Sequence, residues 1–331
     1  MKAALLQAPG RLTLTELASP EPLDGEVRVL LLCVGICGSD IHLFNGQRPL
    51  QGTRILGHEA IGVVDAVGEG VVRLSLGDRV VIEPNIPCGR CELCYRGQAN
   101  HCVNKRVIGL TDPGCFAEQV CCPEAFCWKL PSTIGNGDGV TIEPLAVAIH
   151  ALGLSHAKPG EGIAVVGLGA IGLLITQWAI AQGLMVIASD LLESKCSLAR
   201  RMGALIADPR EDLQAQWERS RVRSVFECAG SASSVQQALS SAPRGSEVIL
   251  LGLANADVHF NPLQLVREGI SIIPSLIYDH PKDFKTAIDV VAKGRVHPGR
   301  IISGVLPFSS IQAAMELAAG GGESKVVLTF G

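Results

Sequence analysis

Two sets of side chains in this sequence have the types and spacing of metal ligands. Cys88, Cys91, Cys94 and Cys102 form a C-x2-C-x2-C-x7-C run within PCGRCELCYRGQANHC. Four thiolates this close in sequence can close a tetrahedral shell around zinc, and a closed shell leaves no position for a substrate. Gly89 and Gly97 permit the tight turns that gather the sulfurs. An iron–sulfur cluster takes the same four ligands, and the rest of the chain's chemistry is what favours zinc. His101 adjoins Cys102 in sequence but reads as a solvated loop residue.

The second set is dispersed. Cys37-Gly38-Ser39-Asp40-Ile41-His42 offers a thiolate, a hydroxyl and an imidazole, and Gly57-His58-Glu59 offers an imidazole and a carboxylate. The latter opens a longer pattern, G-H-E-x2-G-x5-G-x2-V, that ends at Val71. Taken singly, Cys37 reads as a small buried hydrophobe, His58 as a loop histidine and Glu59 as a cap or surface charge. Taken together in their motifs they read as functional metal ligands. Cys121, Cys122 and Cys228 lie in or beside apolar runs and read as core. His150, His156, His259, His280 and His297 stand in no motif and are assigned no chemistry.

A third feature is the glycine turn Gly167-Leu168-Gly169-Ala170-Ile171-Gly172. In G-x-G-x-x-G the first glycine makes the turn, the second lets backbone approach a pyrophosphate, and the third lets helix pack on strand. The phosphates then face a helix N-terminus. Such a turn alone is weak evidence, but here the apolar run 162–166 precedes it and helical pattern follows at 170–182. The next apolar run, 185–189, ends on Asp190, whose carboxylate can accept from adenosine ribose hydroxyls and would repel a 2′-phosphate. Leu191 and Leu192 follow where a phosphate-binding arginine would be sought, so NAD is favoured over NADP. The plainer reading of Asp190 is a cap for the helix starting near 193.

These groups need elements to hold them. Residues 1–144 contain short β-branched runs (26–34, 60–67, 79–82, 116–121) broken by Gly and Pro, the texture of an irregular β domain. From 145 to 278 strand and helix alternate, with a helix at 193–201 and strands at 224–226, 247–251 and 270–273. That pattern implies a parallel sheet with helices on both faces. Residues 279–331 carry helices at 284–292 and 311–317 and a strand at 325–330. This tail is too small for its own core and is expected to return to the first domain. The fold class is α/β.

At 331 residues the chain suffices for about two domains. Its 47% hydrophobic and 18% charged residues are those of a globular protein. A net charge of -4 and 4% aromatic residues give no reason to expect nucleic acid or a lipid surface as partner. The start, MKAALLQAPGRLTL, lacks the apolar core and cleavage site of a secretory signal. The cysteines therefore read as thiols of a reducing, cytoplasmic protein. Residues 162–189 carry no charge and are long enough for a membrane span. Gly167, Gly169, Gly172, Gly183, Gln177 and Gln182 interrupt them, so a buried strand, turn and helix explain them better.

With all these motifs in place, the sequence resembles the zinc-containing medium-chain dehydrogenase/reductase family over essentially its whole length, and its motifs most resemble the sorbitol and polyol dehydrogenase branch. The resemblance implies a GroES-like β-rich catalytic domain (1–144, continued by 279–331) and a Rossmann dinucleotide-binding domain (145–278). It implies two zincs per chain, one structural on the four cysteines and one catalytic on Cys37 and His58. The third catalytic ligand implied is Glu143 of Ile142-Glu143-Pro144, bound directly or through water, with Glu59 as an exchange ligand that approaches the metal. The implied reaction passes hydride between NAD(H) and a secondary alcohol or its ketone, with Ser39 and His42 relaying the released proton. Glu143 and Glu83-Pro84 point to a polyol, sugar or sugar acid. Leu43 and Ile277 depart from sorbitol dehydrogenases, which carry tyrosine and arginine there. Threonine or a simple secondary alcohol is the alternative substrate, and an inactive NAD(P)H-binding structural or regulatory protein the alternative role. A homodimer or homotetramer is implied, with the Rossmann sheets joined edge to edge near residues 270–274.

Overall fold

Alternation in Glu26–Gly35 sends Val27, Val29, Leu31 and Cys33 inward, as a strand with one face on a core requires. This is the central strand of a seven-stranded sheet in the computed structural model, which describes residues 1–50, 52 and 54–331. The sheet path runs Gly304–Pro307, Val326–Thr329, Glu26–Gly35, Glu59–Val67, Arg79–Ile82, Cys127–Lys129, and Gln119–Pro123 also pairs with Glu26–Gly35. Register places Gly35 opposite both Glu59 and Val327. A terminal strand and an early one thereby meet at one point. Leu31, Val80, Ile82, Phe116, Met315 and Leu328 share the core beneath, each large side chain contributing about 1.5–3 kcal/mol by burial.

The chain divides into two compact units, Met1–Glu143 with Asp279–Gly331, and Pro144–Tyr278. In the first, the short strands Asn85–Ile86 and Arg106–Val107 pair antiparallel and close the base of the cysteine lobe. A strand expected at 116–121 is instead found at Gln119–Pro123. Phe116 is held just before it, by its N–H to the Leu56 carbonyl and its carbonyl from the Ala4 N–H.

In the second unit six strands are parallel, in the order Leu205–Ile206, Met185–Ser189, Gly162–Val166, Val222–Glu227, Glu247–Leu250, Ser271–Pro274. Every residue of Gly162–Val166 is buried, as a central parallel strand covered on both faces must be. The uncharged stretch is thus a strand, the helix Ala170–Ala181 and the strand Met185–Ser189. Among the described residues no helix is long and apolar enough to cross a membrane. The order reverses between Gly162–Val166 and Val222–Glu227, which opens a crevice at the strands' C-terminal ends. Three further short helices begin at side-chain caps, Asp212, Ser231 and Asn261.

Candidate active site

Cys37, His58 and Glu59 come together: one ligand atom from each lies within 4.8 Å of the others. Cys37 immediately precedes the helix Gly38–Phe44, while His58 and Glu59 stand at the start of the neighbouring Glu59–Val67 strand. Asp40, fully buried, joins the two segments. One of its oxygens accepts from the Cys37 N–H at 2.9 Å and the other from the Gly57 N–H at 3.1 Å. The latter oxygen also lies 3.6 Å from His58 Nδ1. Burial would lower the His58 pKa, but the Asp40 carboxylate and the Cys37 sulfur outweigh it and hold it well above the ordinary value.

Glu59 faces Lys325, and the two form an ion pair with both side chains about 2% exposed. The Lys325 ammonium also donates to the Ile36 carbonyl at 3.1 Å. Strand pairing explains this meeting, because Lys325 directly precedes Val326–Thr329, which pairs with Glu26–Gly35. A Cβ at Gly35 would stand 2.3 Å from Glu59 Oε2, so a larger residue there would push the carboxylate aside. Burial would lower the Lys325 pKa, and Glu59 more than offsets that, so the lysine is held above its ordinary value.

Glu143 lies outside the 4.8 Å group, in the first turn of the helix Ile142–Leu154, and is 5% exposed. Burial raises its pKa to about 8; Glu59 and Glu83 push in the same direction, while His58 and Lys325 oppose. His58 Nδ1 is a buried nitrogen without a hydrogen-bond partner. A buried imidazole beside a thiol and a carboxylate, with a second buried carboxylate near by, is a donor set that suits zinc.

Ser39 and His42 lie one turn apart on Gly38–Phe44, hence on one face, and both are partly exposed. His42 Nδ1 is 2.5 Å from Gln47 Oε1. Leu43, 6% exposed, packs in the core. Ile277 is half-buried and adopts a left-handed backbone, φ 46°, which is rare and costly for a β-branched residue.

In the lobe, Cys88, Cys91, Cys94 and Cys102 also lie within 4.8 Å of one another. Sulfur separations of 3.5 Å (Cys91–Cys94) and 3.8 Å (Cys91–Cys102) are close to the edge of about 3.8 Å expected for a zinc–thiolate tetrahedron. The Cys88 pKa is lowered to about 6, chiefly by the Arg90 N–H, which favours the thiolate a metal takes. His101 is exposed and outside the group. All twelve cysteines are free thiols.

In the second unit the glycines have distinct roles. Gly167 has φ +91°, and a Cβ there would meet the Ala229 nitrogen at 2.6 Å; one at Gly172 would stand 1.9 Å from the Gly167 carbonyl oxygen. Gly169 faces open space at the N-cap of the helix Ala170–Ala181, with no side-chain cap. Ala170 and Ile171 supply the first helical N–H groups, free to meet an anion. Asp190 accepts from the Leu168 N–H at 2.7 Å and the Leu192 N–H at 2.9 Å. It therefore braces the glycine turn, and the helix Glu193–Met202 has no side-chain cap.

Asp40 and Lys325 carry no role in the sequence reading. Asp40 had a local signal, an acid three residues after Cys37 and so at the start of a helix. Lys325 had none, because only the sheet brings it to Glu59.

Residues 23–132 match the alcohol dehydrogenase GroES-like domain and residues 170–293 the zinc-binding dehydrogenase domain. An uncharacterized zinc-type alcohol dehydrogenase-like protein of Escherichia coli K12, YdjJ, is 33% identical over 95% of this chain and 93% of its own. Sorbitol dehydrogenase of Bacillus subtilis is 30% identical over 96% of this chain and 93% of its own. An alcohol dehydrogenase structure, rspB of E. coli CFT073 with NADH, superposes with a TM-score of 0.92 at 29% identity, covering 100% of this chain and 99% of that one. A Sinorhizobium meliloti 1021 protein described as a zinc-binding dehydrogenase and bound to NADP gives 0.93 at 33% identity, covering 99% and 98%.

Proposed function

The chain belongs to the zinc-containing medium-chain dehydrogenase/reductase family, and from that premise we propose that it oxidises a secondary alcohol bearing neighbouring hydroxyls, a polyol, sugar or sugar acid, with NAD. The observation that carries this is the buried meeting of Cys37, His58 and Glu59 with Lys325. Cys37 and His58 hold a catalytic zinc. Glu143, directly or through water, is its third protein partner, because Glu59 is already matched by Lys325 and Glu143 is the buried carboxylate that a cation would restore to its charged form. Glu59 remains close enough to act as an exchange ligand. Cys88, Cys91, Cys94 and Cys102 hold a second, structural zinc.

Zinc at the first site supplies Lewis-acid polarisation of the alcohol oxygen, and NAD supplies the hydride acceptor. Asp40 fixes the spacing of the segments that carry Cys37 and His58. Ser39 takes the alcohol's proton and His42, one helical turn on, carries it towards solvent. Gly167, Gly169 and Gly172 admit the pyrophosphate to the helix N-terminus, with Ala170 and Ile171 presenting N–H groups. Asp190 accepts from the adenosine ribose hydroxyls with the lone pairs its two backbone bonds leave free, which supports NAD over NADP.

The sorbitol dehydrogenase relative supports the polyol class, and Ile277 stands against sorbitol itself. The Ser271–Pro274 strand ends the sheet on one side, with Ile272, Leu263 and Val266 exposed near by in sequence. That edge supports pairing with a second copy in a homodimer, alone or within a homotetramer. The unbridged thiols of the lobe suit the cytosol. A screen of polyols, aldonates and amino-alcohols for NAD reduction tests the reading. Reduction with a polyhydroxylated secondary alcohol is expected; none with any alcohol at full zinc loading would refute it.

A further inference from the structure

The strand Val222–Glu227 ends on a carboxylate at the point where the sheet order reverses. Glu227 is fully buried. Its Oε1 accepts three bonds, from the Ala229 N–H at 2.9 Å, the Gly230 N–H at 3.0 Å and the Ser234 hydroxyl at 2.7 Å. Its backbone carbonyl accepts two more, from the Leu251 and Gly252 N–H groups, each at 3.0 Å. One residue thus binds the segment after its own strand and the segment after the next.

The first of these segments reaches the glycine turn, and the second packs on the first. The Cys228 N–H donates to the Val166 carbonyl at 2.8 Å. Gly167 packs so closely on Ala229 that a Cβ could not fit, and Gly252 packs as closely on Gly230, where a Cβ would stand 2.3 Å from the Gly230 nitrogen. Any shift of residues 228–230 is therefore passed to the turn. Glu227 Oε2 is buried without a hydrogen-bond partner. The geometry uses one oxygen of the carboxylate as an acceptor at a fixed reach.

We propose that Glu227 is a positioning residue for the dinucleotide, holding residues 228–230 against the glycine turn and residues 251–252 against them, so that the crevice is formed before the cofactor arrives. This rests on the reading that the crevice binds NAD(H). Pre-forming a site removes an ordering cost that binding would otherwise bear. The effect should fall on cofactor affinity and leave the zinc sites and turnover at saturation in place.

The test uses the zinc-loaded full chain and measures NADH dissociation constants by fluorescence, the KM for NAD, kcat and zinc content. Glu227→Ala should weaken NADH roughly 30-fold, raise the KM for NAD in step and change kcat at saturating NAD by less than about threefold. Glu227→Asp keeps the charge but shortens the reach, and should lose most of the same affinity. Glu227→Gln keeps the acceptor at the same reach, and should stay within about fivefold of wild type. If the alanine variant does not fold, the Asp and Gln pair decides the matter. Asp equal to wild type, or Gln as weak as Asp, would overturn the assignment. Failure of the wild-type protein to bind NADH would instead remove the reading of the crevice.

Discussion

Replacing Lys325 by methionine leaves Glu59 buried without its counter-charge. Because both side chains are about 2% exposed, water cannot take over, and removing one member of such a pair costs about 3–5 kcal/mol. For a unit of this size that lowers the melting temperature of the metal-free protein by roughly 6–20 °C. Methionine fills most of the volume, so little of the loss comes from a cavity. The lysine's pKa is raised above its ordinary value. Its contribution is complete below about pH 10 and is lost only as pH rises through the folded-state value. The deficit from this pair should hence be constant between pH 6 and 9. Adding Glu59→Gln to Lys325→Met removes the stranded charge and should return more than half of the lost stability. Zinc should also stabilise the single variant more than the wild type, because Glu59 is then free to turn to the metal. Calorimetry across that pH range, with and without zinc, measures all four. A single variant as stable as wild type, or a double variant no better than the single, would refute the role given to the pair.

Glu143, with its pKa raised to about 8 by burial, makes the metal-free protein lose stability as pH rises from about 4.5 to about 8, since the folded state holds a proton that the unfolded chain has released. Melting curves across that range should show the decline, and Glu143→Gln should flatten it; an unchanged slope in the variant would contradict the assignment. Asp190→Ala should reduce the preference for NADH over NADPH at least about tenfold by dissociation constants, with some loss of NADH affinity as Leu168 is released. An unaltered ratio would mean that Asp190 only braces the turn.

What the sequence makes legible is local chemistry. The cysteine lobe, the glycine turn and the segments of Cys37 and His58 each lie within a short stretch whose spacing is itself the signal. The apolar run 162–166 shows its strand because both faces are covered, leaving no polar alternation to confuse it. The helix Ala232–Ser241 is hidden by its serines and shows itself only through the Ser231 cap. The pairing of Lys325 with Glu59 depends on β pairing across most of the chain, which no window of sequence contains. Glu227 is similarly silent, because its three donors come from backbone and from a serine whose directions only the folded loop sets.

The central claim is that one metal sits in a closed four-cysteine shell and another at Cys37 and His58, where the alcohol reacts. Metal analysis of the wild type and of Cys37→Ser, alongside NADH binding and alcohol oxidation, tests it most directly. Two zincs per wild-type chain are expected. The variant should hold one, fold, bind NADH with wild-type affinity and oxidise no alcohol. A wild type with a single zinc, or a Cys37→Ser variant that keeps two zincs and its activity, would contradict the account.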